Sequence, residues 1–243
     1  MGKAKKNNDA INPKMKKLGI KIALSVRRDK VTHDLERFNE LLNFVEEALH
    51  VKKKRRESYV SQKLSVMDDE NEASLMAEFY AEDIFQIEID FPRLQRYALF
   101  VSLMSIVESN LIGFCRTAKH LLSVSKDFDG TLPQVIKRSM EYLENEARID
   151  ISQFKYYIDL SIILSHIRNC IVHDEGSIKN RKDSVIISDF IKGKETILLD
   201  TDRGKKIILN KGFVEYYSQE VLKFLDCVSI GLGKKVSSLK LLD

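Results

Sequence analysis

The residue types able to do chemistry crowd into one short stretch, His166–Gly176, with the sequence HIRNCIVHDEG. On an α-helix Asn169 and His173, four apart, share a face, and His166 precedes Asn169 by three. Arg168 stands five residues before His173, about 140° away around the helix axis. A helix end that frays or tightens still lets both converge on one anion. The negative end of a helix dipole stabilises positive charge there, and imidazole, titrating near neutrality, is a competent general acid or base. A guanidinium beside it suits a phosphoryl group whose negative charge grows in the transition state. Arg, Asn and His without a neighbouring nucleophile or carboxylate cluster match phosphodiester transesterification, in which RNA supplies its own 2′-OH. The same residues also fit a plain polar helix end, with the histidine a cap or surface group. Chemistry alone leaves the set one proton-transfer group short, since a single histidine cannot readily be both base and acid in one displacement.

A metal reading fails on spacing. His166 and His173 are separated by about 10 Å along the axis, too far for one ion, and His166 with Cys170 has no evident third ligand. No metal or cofactor is expected. His166 reads as structural. A second polar residue is out of place, because Glu108 interrupts an apolar helical row flanked by Met104, Leu111 and Ile112. A carboxylate is costly to bury unpaired. Arg168 is its candidate partner; alternatively Glu108 sits at the stripe's edge and reaches water.

The elements that would position these groups are mainly helical. Residues 1–17 read as a disordered basic arm, and 18–89 as a helical extension. There Leu35, Phe38, Leu41, Leu42, Val45 and Leu49 recur at helical spacing from Thr32 or Asp34. The run Lys52, Lys53, Lys54, Arg55, Arg56 would end that helix or continue as an exposed turn, and an acidic helix follows over about 70–89. Asp90 with Pro92 predicts a boundary, and a deeply buried helix over 92–122 follows. Thr131 with Gln134 has capping-box spacing for a helix to about Ala147, and Asp150 with Gln153 repeats it ahead of a helix over about 151–172. Gly176 is placed as its C-terminal stop. The runs 184–188, 195–199 and 205–209 predict a small antiparallel hairpin or meander, and a last amphipathic helix runs from about Phe213 to Ile230. The fold class expected is a mainly α bundle with a small β insertion, 90–243 forming one compact unit with 18–89.

Composition narrows the functional classes. Hydrophobic residues make up 44% and charged residues 31% of 243, with 3 Pro and 10 Gly, which excludes an intrinsically disordered chain. No uncharged run reaches the roughly 18 to 20 residues of a bilayer span, and the basic N-terminus has no apolar stretch behind it, so neither membrane nor secretory signal is expected. Three scattered cysteines in apolar helical patterns read as reduced thiols in a cytoplasmic protein. Charge is segregated: residues 1–63 carry 17 Lys/Arg against 8 Asp/Glu, and residues 64–96 carry 2 against 9. The basic runs at 16–30 and 52–56 either touch a polyanion such as RNA or form solvated helix faces.

The segment Arg168–His173, RNCIVH, resembles the R-x4-6-H signature of the HEPN (higher eukaryotes and prokaryotes nucleotide-binding) superfamily, including the Asn after the Arg. The stretch from Phe91 to Cys115 likewise resembles that superfamily's long helix with an acidic residue in an apolar pattern. The resemblance covers about residues 90–230. It implies a metal-independent endoribonuclease acting as a homodimer, the second histidine coming from the other copy. Arg168 would stabilise the phosphorane, His173 would transfer protons, Asn169 would orient the phosphate or His173, and Glu108 would position. Such proteins are often toxins or defence effectors, which implies an antitoxin or sensor partner. Two other readings stand beside this one: a non-catalytic dimerisation module, and a nucleic-acid-binding accessory protein using the N-terminal basic blocks.

Overall fold

The computed structural model describes residues 13–67, 69–202 and 204–238, with backbone only for residues 13–17, Glu70 and Glu82. The chain is mainly α-helical, as expected. Helix α1 (Pro13–Leu64) is followed by α2 (Glu70–Phe85), a π-helical turn (Gln86–Asp90) and α3 (Phe91–Leu122). Then come α4 (Val135–Asn145), α5 (Lys155–Asp174), α6 (Ser184–Ile191), the strands β1 (Ile197–Asp200) and β2 (Lys206–Leu209), and α7 (Phe213–Ser238).

Helix α1 is the largest departure from the sequence reading. It spans 52 residues, so it begins far before Thr32 and continues straight through Lys52–Arg56. Pro13 suits the first helical position, where its missing N–H is no loss. No Gly or Pro occurs between Gly19 and Pro92, and Lys, Arg and Glu are good helix formers. Its buried positions Val31, Leu35, Phe38 and Leu42 keep helical spacing. Of the expected basic arm, residues 13–17 belong to this helix, and 1–12 lie outside the described residues.

The expected boundary at Asp90 and Pro92 is a change of helical pitch. Phe91 donates its N–H to the carbonyl of Gln86, five residues back. A proline inside an α-helix clashes with the carbonyl four residues before it, and the wider π turn is a recognised way to absorb such an insult without breaking the helix. Together α2, this turn and α3 make a helical stretch, Asn71–Leu122, holding an 18-residue window of mean hydropathy 1.7. By length and composition that window also meets the requirement for a membrane span. Half of it is buried inside the protein, however, as befits a core helix.

Two expected caps are not realised. Gln134, with φ +58°, caps α4 without a side-chain bond, because the Thr131 hydroxyl is taken by Asp129 at 2.6 Å. Asp150 accepts from the Ser152 N–H at 3.0 Å and opens a single 3₁₀ turn (Ser152–Phe154) before α5. The run 184–188, expected as a strand, is helical: α6 presents Ile187 and Ile191 to the core, so helical burial overrides the β-propensity of Val and Ile. The strands β1 and β2 pair antiparallel with Ile197 opposite Leu209 and Leu199 opposite Ile207, and Ile197, Ile207 and Leu209 are completely buried.

The chain forms two compact units, with the division falling inside α1, α3, α5 and α7. The first unit takes the chain through His33, Glu108–Ile158 and the chain from Lys223. Its core holds Leu111, Phe114, Cys115, Leu143, Phe154 and Phe224. In it the half-buried Arg27 lies where a Cβ on Gly113 would stand, its guanidinium 5.0 Å from the Phe114 ring centroid. Burial pushes the Cys115 thiol up to about 12.

The second unit comprises Asp34–Val107 and Asp159–Leu222. Phe100 and Phe213 meet edge to face at 5.4 Å in its core. Arg96 donates to both carboxylate oxygens of Glu46, at 2.8 and 3.0 Å, and to the Leu209 carbonyl at 3.3 Å, tying α1, α3 and β2 together.

Gly176 ends α5 with φ +81°, and its N–H reaches back to the Cys170 carbonyl at 3.0 Å. A Cβ at this position would overlap the Tyr97 hydroxyl. Gly193, with φ +76°, has open space around it. Gly176→Ala is therefore expected to cost well over the roughly 1 to 2 kcal/mol of left-handed backbone strain alone, whereas Gly193→Ala should cost that strain and no more. Denaturant unfolding of the two variants measures the difference, which equal losses would erase.

Candidate functional site

The candidate site lies at the C-terminal end of α5 in the second unit. Successive residues Leu164, Ile167, Cys170 and Ile171 are buried and hold one face of the helix against the core, which leaves Arg168 and Asn169 half-buried and His173 exposed. All three predicted groups therefore occupy the last two turns of one helix. The side chains of Asn169 and His173 have no hydrogen-bond partner among the described residues. Glu108 is half-buried on α3 and belongs to the first unit.

The helix end is fixed by backbone pairing. The Ile207 N–H donates to the Gly176 carbonyl at 2.9 Å, and the Ile178 N–H to the Lys205 carbonyl at 3.1 Å, so the chain leaving α5 pairs with the start of β2. Tyr97, buried on α3, donates its hydroxyl to the Ile207 carbonyl. Burial pushes the Tyr97 phenol up to about 12, so it remains a donor at any physiological pH.

A charged network that sequence reasoning missed buttresses the same end. Asp183, just before α6, accepts from Arg181 Nε at 2.8 Å and Nη2 at 2.9 Å, and from His166 Nδ1 at 2.8 Å. Arg181 also pairs with Asp174, the neighbour of His173. The Arg181 hydrogen bonds outweigh the desolvation of Asp183 and hold its carboxyl down at about 2. Because the carboxylate stays ionised, it can only accept, so Nδ1 of His166 carries the proton of their bond. His166, expected to be structural, is engaged by a partner 17 residues away that no local pattern discloses. Asp183 makes no capping bond to α6, its oxygens being spent on this network.

The Cys170 thiol donates to the Ser177 carbonyl at 3.2 Å, and burial raises it to about 11. His166 and Cys170 are each committed to other partners. Among the described residues, no group of three or more His, Cys, Asp or Glu side chains is gathered to hold a metal ion.

The basic run behaves unevenly. Lys53 pairs with Glu88 at 2.8 Å and Arg56 with Asp83, while Lys52, Lys54 and Arg55 are exposed. The other basic block is partly spent as well, since Arg27 donates to the Asn110 carbonyl and Arg28 pairs with Asp226 at 3.5 Å.

No family model, curated protein or solved structure matches this chain.

The depressed carboxyl of Asp183 carries a pH signature. A group ionised more readily in the folded state stabilises it above the unfolded value near 3.9 and loses that contribution as pH falls through the folded value. Asp183→Asn is expected to lower stability at pH 7 by about 2 kcal/mol, the scale of charge-assisted hydrogen bonds. Its deficit relative to wild type should shrink between pH 4 and pH 2. Unfolding curves across that range provide the check, and a pH-independent deficit contradicts the assignment.

Proposed function

We propose that this chain is a metal-independent endoribonuclease of the HEPN type, in which Arg168, Asn169 and His173 of two copies form one composite site. One observation carries the reading: the residues of the R-x4-6-H pattern occupy a helix end held by Gly176, Tyr97 and the pairing to β2, with His173 exposed in the last turn. Rigid placement is what general acid–base catalysis requires of its side chains. The nearby carboxylates do not stand bare against an incoming phosphate, because Asp174 pairs with Arg181 and Glu175 with Lys206 at 3.4 Å.

In the proposed reaction one His173 removes the proton of the RNA 2′-OH, and the 2′-oxygen bonds to phosphorus. The bond from phosphorus to the 5′-oxygen breaks, and that oxygen takes a proton from the His173 of the other copy. The products are a 2′,3′-cyclic phosphate and a 5′-hydroxyl. Arg168 stabilises the charge gathering on the phosphorane, and Asn169 orients the phosphate or the imidazole. Two copies related by a twofold axis supply the acid and the base that one chain lacks. On this reading the protein is cytoplasmic, and a toxin or defence role would bring an antitoxin or sensor partner.

The test uses the full chain, RNA and a chelator. His173→Ala and Arg168→Ala are each expected to reduce cleavage by about 10²- to 10⁴-fold while the melting temperature stays near wild type. Wild-type rates in both variants, or cleavage that needs added metal, would overturn the proposal. Loss of dimerisation with RNA left uncut by wild type would favour a non-catalytic module instead.

A further inference from the structure

One face of α1 beyond the acidic pairs is built differently from an ordinary solvated helix surface. Lys52, Arg56, Tyr59 and Lys63 follow one another at intervals of four, three and four, and Arg55 lies three after Lys52 and four before Tyr59, so they share one side of the helix. Cations and rings interleave along it. Lys52 Nζ stands 4.0 Å from the Phe91 ring centroid, Arg56 lies between Tyr59 and Tyr80 at 5.2 and 5.0 Å, and Lys63 is 5.8 Å from Tyr59. Tyr59 and Phe91 remain 43% and 36% exposed, so part of each ring faces solvent beside the cations.

Lys52, Arg55, Arg56, Tyr59 and Phe91 line a shallow open cleft of about 450 Å³ beside the π-helical turn, which contributes Gln86. The irregular turn sets Gln86 and Phe91 on its wall, and π turns concentrate at functional sites. Arg56 is held in place by Asp83, yet its buried Nε–H finds no acceptor among the described residues. Lys52 and Arg55 are exposed beside it.

We propose that this cleft binds single-stranded RNA, stacking bases on Tyr59 and Phe91 and placing phosphates against Lys52 and Arg55. The choice of RNA rests on the nuclease reading above; the single-stranded form rests on the cleft itself. A bare polyanion would need the cations alone, and the interleaved rings add a surface for unpaired bases. Gln86 supplies donor and acceptor groups for a base edge. A duplex offers no free ring faces to Tyr59 and Phe91. The ion pair of Arg56 with Asp83 leaves that guanidinium in the cleft as a fixed planar surface between two rings and not as a mobile charge.

The test separates this surface from the nuclease site by using His173→Ala protein, whose binding is read without cleavage. A fluorescent single-stranded oligoribonucleotide is titrated at several salt concentrations. The double variant Lys52→Gln/Arg55→Gln, at exposed positions, is expected to weaken binding and to reduce the salt slope by about 1.4, two phosphate contacts on a single strand. Tyr59→Leu and Phe91→Leu, checked for unchanged melting, are each expected to weaken binding by about 10-fold with the slope unchanged. Lys192→Gln, an exposed cation elsewhere in the same unit, should bind as the parent does. Equal binding by all variants overturns the proposal. So does equal affinity for duplex RNA, heparin or an acidic peptide, which would make the stripe a general cation surface. If the binding pattern holds while wild type cuts no RNA, only the nuclease reading falls. If wild type cuts RNA and the stripe variants bind normally, only this proposal falls.

Discussion

The organisation of the second unit hangs on a side chain that residue 176 does not have. Without a Cβ there, Tyr97 can place its hydroxyl against the Ile207 carbonyl, while the Ile207 N–H takes the Gly176 carbonyl at 2.9 Å and the Gly176 N–H closes on Cys170 at 3.0 Å. Both backbone groups of Gly176 and its empty side-chain space are thus in use at once. Backbone hydrogen bonds left unmade in a buried setting are costly, so the end of α5 cannot shift without unmaking several of them together. Arg181 and Asp174 come into reach of each other because this segment is held, and the position of His173 follows from the same pairing.

How much of this was legible depends on range. Gly176 announced the end of α5, and the helical spacing of buried residues announced α3, because both signals are local and periodic. The two strands were legible from their β-branched runs bounded by turn residues. The run 184–188 carried the same signal and is helical, since the eight residues Ser184–Ile191 bury Ile187 and Ile191 on one helical face. Helix α1 runs through Lys52–Arg56, where a charge cluster reads equally as a helix end or an exposed turn. The better signal was the absence of any Gly or Pro from 20 to 91. The network of His166, Asp183, Arg181 and Asp174 was illegible for a plainer reason: it pairs α5 with a loop through side-chain geometry that no spacing rule encodes.

Segregated charge along the chain does not translate into segregated charge in space. The acidic residues Asp83 and Glu88 meet the basic run of α1 at Arg56 and Lys53, and Arg27 is drawn in beside Phe114 because Gly113 leaves room. A net charge counted over residues 1–63 therefore overstates the field that an incoming polyanion would meet. Exposed ion pairs of this kind contribute little to stability, so their main effect is positional: they hold some cations in place and leave others outward.

The end of α5 and the basic run of α1 share that arrangement. At the end of α5 Arg181 takes Asp174, and Lys206 takes Glu175, beside the exposed His173. On α1 Asp83 takes Arg56, and Glu88 takes Lys53, beside the exposed Lys52 and Arg55. An anion approaching either place meets carboxylates already neutralised at short range, where Coulomb repulsion would otherwise be strongest. Lys53 shows the effect in reverse, since its hydrogen bond to Glu88 holds the ammonium above its ordinary value. Pairing the acids locally permits a chain with nearly as many carboxylates as cations to present positive surface where a phosphate could be held.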